Sequence, residues 1–292
     1  METRLFHIFR NTPLGREILL QSTYFCKVAG IDPVIYIPEF IKFLMYFDND
    51  VVQVDLDGSY LKAPETAKAH AIEIVRSQGL PEPDFIAPKH FTASTLPDIP
   101  VNFDFMCCPR SITDLSSKIG LGYIGPRVRR IVQSAVFPVL IPSAVYKPWQ
   151  SVAVMFGGSA NAVNALKLGM RISRLSGLPM NVYTQLGKRS FEDYQTIVRE
   201  RLMDQEMDRY SRKWEVFDSG DLEDNLYSVP HDALVVMGAY GHGVIKEMLF
   251  GSVMEKVQSV LPNNLLIAGP KVSGAHVIFS LPVLFFHRIG LY

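Results

Sequence analysis

Residues 235–253 read VVMGAYGHGVIKEMLFGSV. An apolar run stops at Gly238, Gly241 and Gly243 follow quickly, and a Gly251-Ser252 pair comes ten residues after Gly241. A buried strand that ends in glycine must turn away from its sheet there. Gly238 and Gly241 are free to take positive φ, and without side chains they let a ligand approach the backbone. Successive N–H groups in such a turn form a concave anion site. Gly251-Ser252 opens a predicted helix over 252–260, whose free N–H groups and positive dipole end favour phosphate, with the Ser252 hydroxyl as an added donor. His242 lies inside the loop, within reach of the same phosphates. The plain alternative is turn glycines, a helix cap and a surface histidine.

A second small-residue loop, Gly157-Gly158-Ser159, follows the apolar run 151–156 (SVAVMF). We place Gly157 and Ser159 in the candidate binding set. Neither loop is a P-loop, since GxxxxGK[ST] is absent, and GAYGHG has the wrong spacing for the dinucleotide motif GxGxxG. A loop reading SGGxDS would mark an AMP-forming ATP pyrophosphatase. Here Phe156 stands in place of the first serine and Ala160-Asn161 follow Ser159, so the match is poor. Lys246 reads as a solvated helix or loop residue more readily than as a γ-phosphate ligand, and nothing pairs Asp221 or Asp232 with a nucleophile or base. No catalytic residue and no metal site are assigned.

The elements that must hold these loops are legible from periodicity. In the C-terminal half, strands are expected at 151–156, 180–185, 214–217, 233–237 and 265–268. Helices are expected at 160–175, 191–211, 221–227 and 252–260. Continuous apolar strands alternating with helices indicate a parallel sheet covered on both faces. The N-terminal half repeats the pattern with strands at 5–9, 33–37, from 85, 103–107 and 138–141, and helices at 13–29, 64–77 and 124–134. An extra stretch, 48–61, reads as a hairpin or added edge strand. GPRVRRIVQSAVFPVLIP from Gly125 aligns without a gap with GSVMEKVQSVLPNNLLIA from Gly251. This is an internal duplication with a linker at 142–150, giving expected domains at 1–145 and 150–292.

Composition narrows the function classes. Twenty-nine Lys and Arg balance twenty-nine Asp and Glu, which argues against a strongly basic nucleic-acid binder. The three cysteines, two of them adjacent, show neither a disulfide framework nor metal-ligand spacing. The first residues, METRLFHIFRNT, lack a signal peptide's apolar core, and no run reaches the roughly 18 apolar residues that span a bilayer. A cytoplasmic location is expected. The apolar run 277–292 lies beyond the last expected strand and is expected to pack on the other domain or on a second subunit, with a peripheral membrane contact as the weaker alternative.

The pattern G-x2-G-x9-G-[S/T], formed by Gly238, Gly241, Gly251 and Ser252, together with DALVVMGAYGHG and GSVMEKVQSVLPNNLLIAG, closely resembles the universal stress protein family. The resemblance covers about residues 151–270 well and the N-terminal half weakly. It implies an α/β fold: two tandem, open, five-stranded, mostly parallel sheets flanked by helices, of the Rossmann-like, adenine nucleotide α-hydrolase-like kind. It further implies that the four motif residues hold the phosphates and ribose of ATP, ADP or AMP, with Mg²⁺ accompanying a triphosphate. The family's usual acidic residue for the base corresponds to Gly157, a departure. The N-terminal copy departs further, with Cys108-Pro109-Arg110 at the first glycine and Pro126 at the serine, so no site or only a weak one is expected there. The resemblance also implies pairing through last strands, between chains as a homodimer or between the two halves. The expected role is stress-response nucleotide binding or sensing, with at most slow ATP hydrolysis. The alternative is a nucleotide-free scaffold.

Overall fold

A computed structural model describes residues 3–47, 50–56, 64–88, 96–110, 112, 124–239 and 261–273. The N-terminal half runs β1 (Arg4–Ile8), α1 (Pro13–Ala29), β2 (Asp32–Tyr36), β3 (Lys42–Phe47), β4 (Asp50–Asp55), α2 (Pro64–Ser77), β5 (Asp84–Phe85), β6 (Asp98–Pro100), β7 (Phe105–Cys107), α3 (Pro126–Ser134) and β8 (Val139–Ile141). The C-terminal half runs β9 (Ser151–Met155), α4 (Ala160–Ser176), β10 (Met180–Gln185), α5 (Phe191–Glu200), α6 (Asp204–Tyr210), β11 (Ser211–Phe217), α7 (Leu222–Leu226), β12 (Ala233–Gly238) and β13 (Asn264–Ala268).

Ten strands form one sheet in the order β11-β10-β9-β12-β13-β8-β7-β1-β2-β5. Each half contributes five neighbouring strands, paired in parallel within the half. The two arrays meet where β13 pairs antiparallel with β8, Leu266 opposite Leu140. The two expected five-stranded sheets are therefore one continuous sheet, joined through the last strand of each half. Two large cores line its faces, and both draw residues from both halves: Phe6, Val128 and Val235 in one, Leu5, Phe25 and Val154 in the other.

Local sequence sets the helix ends. Thr12 caps α1 by accepting from the Gly15 N–H at 2.9 Å, Pro13 stands at its first turn, and Gly30 ends it at φ 64°. The connecting segment 142–150 is docked on α1. The Tyr146 N–H donates to Glu17 at 2.7 Å, Gln21 exchanges two bonds with the Lys147 backbone, and Trp149 is buried.

Two expectations need correction. The single helix expected over 191–211 is two helices, because Leu202 takes φ 53° and turns the chain so that Met203 and Met207 enter the core. The stretch 48–61, expected as a hairpin or an added edge strand, supplies β4, which pairs antiparallel with β3 at the edge of a sheet of its own, ordered β4-β3-β6 and not joined to the ten-stranded one. Phe43, Met45, Val52, Val54 and Ile99 from that sheet pack on the core beneath it. The expected helix 252–260 and the apolar run 277–292 lie outside the described residues.

Candidate functional site

In the C-terminal half the chain runs outward from β9 to β10 and β11 on one side, and places β12 and β13 on the other. The strand order reverses between β9 and β12, and ligands of open α/β sheets bind at the carboxyl ends flanking such a reversal. The residues at those ends are Phe156 to Ser159 after β9, and Gly238 with Ala239 closing β12.

The β9 end is rigidly held. The Phe156 N–H donates to the Tyr183 carbonyl at 2.8 Å, and its own carbonyl accepts from the Thr184 hydroxyl at 2.9 Å. Thr184 in turn accepts from the Trp214 indole N–H at 2.9 Å. The Phe156 ring is fully buried, edge-on to Tyr194 and Trp214, and burial pushes the Tyr194 phenol up. The chain then reverses at Gly158, φ 67°, a conformation that suits glycine. Ser159 caps α4, accepting from the Ala162 N–H at 3.1 Å. The N-terminus of this 17-residue helix thus opens at the strand reversal.

Gly238 is required for a reason that spacing did not reveal. Its φ is not positive, whereas a Cβ there would lie 2.4 Å from the Asn161 carbonyl carbon and 2.6 Å from the Ala162 nitrogen. The first turn of α4 lies directly on the end of β12, and only a residue without a side chain admits it. The Asn161 amide donates to the Ala239 carbonyl, tying the two loops together.

Gly157, Ser159 and Gly238 therefore come together, while Gly241, His242, Gly251 and Ser252 lie outside the described residues. Sequence reading missed Arg189, from the loop between β10 and α5. Its guanidinium donates to the Gly158 carbonyl at 3.1 Å, so a cation overlies the loop where Gly157 supplies no carboxylate. An exposed loop arginine carries no periodic or motif signal that would single it out. Among the described residues, no group of three or more His, Cys, Asp or Glu side chains gathers as metal ligands. Cys26, Cys107 and Cys108 are all buried, and burial pushes each thiol up, away from the reactive thiolate.

No model of a known protein family matches the chain. Among characterised sequences, a universal stress protein of Synechocystis sp. is 26% identical over 171 residues, covering 57% of this chain and 58% of that relative. Among solved structures, a universal stress protein from Archaeoglobus fulgidus superposes with a TM-score of 0.59 at 13% identity, over 91% of this chain and 96% of that one. The chain is similar to universal stress proteins in sequence and in fold. A further structure ascribed to the family, from Pseudomonas aeruginosa, gives a TM-score of 0.54 at 11% identity over 92% of this chain and 94% of that one. These two likenesses share the fold.

The N-terminal half has its own strand reversal, between β1 and β7, and fills it differently. Thr12 occupies the cap position corresponding to Ser159. Beyond β7 the chain continues Cys108-Pro109-Arg110, and Arg110 reaches into the other half. Its guanidinium donates to the carbonyls of Asn263 at 2.9 Å and Leu261 at 3.4 Å, and burial lowers its pKa to about 10. Pro126 begins α3 after Gly125, which makes no side-chain cap bond. No helix among the described residues is long and apolar enough to cross a membrane.

Proposed function

We propose that the chain is a universal stress protein that binds an adenine nucleotide at the carboxyl ends of β9 and β12, as a cytoplasmic binding or sensing module. The observation that carries this reading is the strand reversal flanked by Gly157-Gly158 on one side and Gly238 on the other, with the N-terminus of α4 between them. Gly241, Gly251 and Ser252 would complete the phosphate cradle, as the motif spacing implies. ATP, ADP and AMP share the groups such a cradle reads, and Mg²⁺ would accompany a triphosphate. The protein would act by binding; any ATP hydrolysis would be slow, since the sequence assigns no general base or metal-ligand set to drive it. We further propose that residues 1–145 and 150–292 are two copies of one unit, the first serving as structural support and paired with the second within one chain.

A specific observation favours a second reading, that of a nucleotide-free scaffold. Ser159 is already engaged as a helix cap, Gly238 is accounted for by packing, and Arg189 replaces a carboxylate at the base end of the loop. Mass spectrometry of small molecules released on denaturing the purified chain separates the two, with ATP titration calorimetry in Mg²⁺ as its partner. The nucleotide reading expects an adenine nucleotide, released or bound on addition. It also expects loss of that binding in Ser252→Pro, which copies the Gly-Pro pair of the N-terminal half. A chain that is empty and does not bind ATP would establish the scaffold.

A further inference from the structure

The ten-stranded sheet ends at β11 on one side and β5 on the other, because β13 and β8, the last strands of the two halves, pair with each other. β5 is only Asp84–Phe85, whereas β11 is a seven-residue strand, SRKWEVF. Among the described residues no strand pairs with its outer edge. An open edge presents unpaired N–H and C=O groups, and exposed charge ordinarily keeps other strands off it. β11 carries such charge, but of both signs: Lys213 and Glu215 lie on one face of the strand, on either side of Trp214.

The inner pairing fixes which backbone groups point outward. The Leu186 N–H donates to the Phe217 carbonyl at 2.9 Å, so Phe217 turns its backbone groups toward β10. Backbone direction alternates along a strand. Glu215 and Lys213, in register with Tyr183 and Asn181, therefore face β10 as well, while Trp214 and Val216 face outward. The register shift against β10 lies between Met180 and Asn181, before Lys213, and leaves 213–217 regular.

A second copy related by a two-fold axis normal to the sheet brings β11 antiparallel against β11. Outward-facing residues must then lie opposite one another for backbone bonds to form. Centring the pair on Trp214 achieves this, with Trp214 opposite Trp214 of the partner subunit. Lys213 then falls opposite Glu215 of the partner subunit, and Glu215 opposite Lys213 of the partner subunit. These two flanking positions are non-hydrogen-bonded pairs, where side chains approach most closely. Sliding the register by two residues sets Lys213 against Lys213 of the partner subunit, or Glu215 against Glu215 of the partner subunit, and like charges directly opposite are unfavourable. Sliding it by one sets outward groups against inward ones. The charges thus select a single register.

Within one chain the Lys213 ammonium lies 2.9 Å from the Glu215 carboxylate. That contact exhausts neither group, since an ammonium has three donors and a carboxylate two acceptor oxygens. The Lys213 side chain is 62% exposed, and a surface pair of this kind contributes little by itself, so little opposes its regrouping across the two-fold axis. The formal net charge of the chain is zero, so no overall repulsion holds two copies apart. The chain also joins two strand arrays in this manner internally, by the antiparallel β8–β13 pair.

We infer that the outer edge of β11 is a self-association surface for a second copy of this chain, paired antiparallel about Trp214 and fixed in register by two Lys213–Glu215 cross-strand pairs.

Sedimentation velocity of the full chain over a concentration series tests it, and a monomer–dimer equilibrium is expected. Lys213→Glu and Glu215→Lys each convert both cross-strand pairs into like-charge pairs, and each should weaken association about tenfold. Mixing the two single variants restores opposite charges at both pairs, so the mixture should associate as the parent does. The doubly exchanged chain, Lys213→Glu with Glu215→Lys, should do the same alone. A parent chain that stays monomeric throughout would overturn the assignment. So would dimers that the single variants leave unchanged, or single variants that lose association and do not regain it on mixing.

Discussion

Gly238 is a glycine whose packing role the sequence does not display. Its place at the end of an apolar run marked it as a point of backbone approach, and the group that approaches is the Asn161–Ala162 backbone of α4. Adding a methyl group there would push two backbone segments apart, and neither can yield as a flexible side chain would. Gly238→Ala is therefore expected to cost about 1–3 kcal/mol, the range of overpacked cores. Urea unfolding monitored by Trp fluorescence checks this; an unchanged midpoint would show that α4 slides at no cost. Gly158 differs, because its positive φ and the overlying Arg189 together disfavour any side chain. Ser159 was legible as a small polar residue before a helix, and its hydroxyl serves the helix itself. Arg189 was not legible, since its position over Gly158 follows from how α5 seats against the loop and not from any local pattern.

Among elements, those whose limits depend on local chemistry were the ones the sequence revealed. Thr12-Pro13 and Gly30 bound α1, and Ser159 and Gly177 bound α4, because caps and positive-φ stops act within a few residues. The break between α5 and α6 was hidden, because it depends on tertiary packing: Leu202 is 86% exposed and strained so that Met203 can be 2% exposed. Strand β3, KFLMYF, was missed because its outward positions are also apolar, which erases the period-two signal. β6 was missed because it is three residues long and ends in proline. The strained turn yields a prediction. A left-handed conformation costs an L-residue about 1–2 kcal/mol, of which glycine's greater unfolded-state freedom returns about 0.5–1 kcal/mol to the debit side. Since the Leu202 side chain packs on little, Leu202→Gly should stabilise the chain by up to about 1 kcal/mol, read as a higher melting temperature. Leu202→Val, which is branched at Cβ, should lower it, and the opposite order would mean that the turn is set by side-chain contacts and not by backbone strain.

For the molecule as a whole, the antiparallel β8–β13 contact turns two short sheets into one, and the cores on both faces continue across it. Arg110 adds a polar tie at the same junction. It closes the Cys108-Pro109-Arg110 stretch that stands where the resemblance places a glycine, and it satisfies backbone carbonyls at 261 and 263, while the Asn263 amide donates to the carbonyls of Pro230 and Ala233 that lead into β12. The residue that follows β7 in the N-terminal half thus braces the start of the strand that ends at Gly238 in the other. Arg110→Ala would leave two carbonyls short of a donor in a buried setting, a cost of about 1–3 kcal/mol. Because the shared cores hold the halves together independently of that tie, calorimetry should show the melting transition of Arg110→Ala shifted down yet still single. Two resolved transitions in the variant would mean that the arginine, and not the continuous hydrophobic core, makes the halves unfold as one.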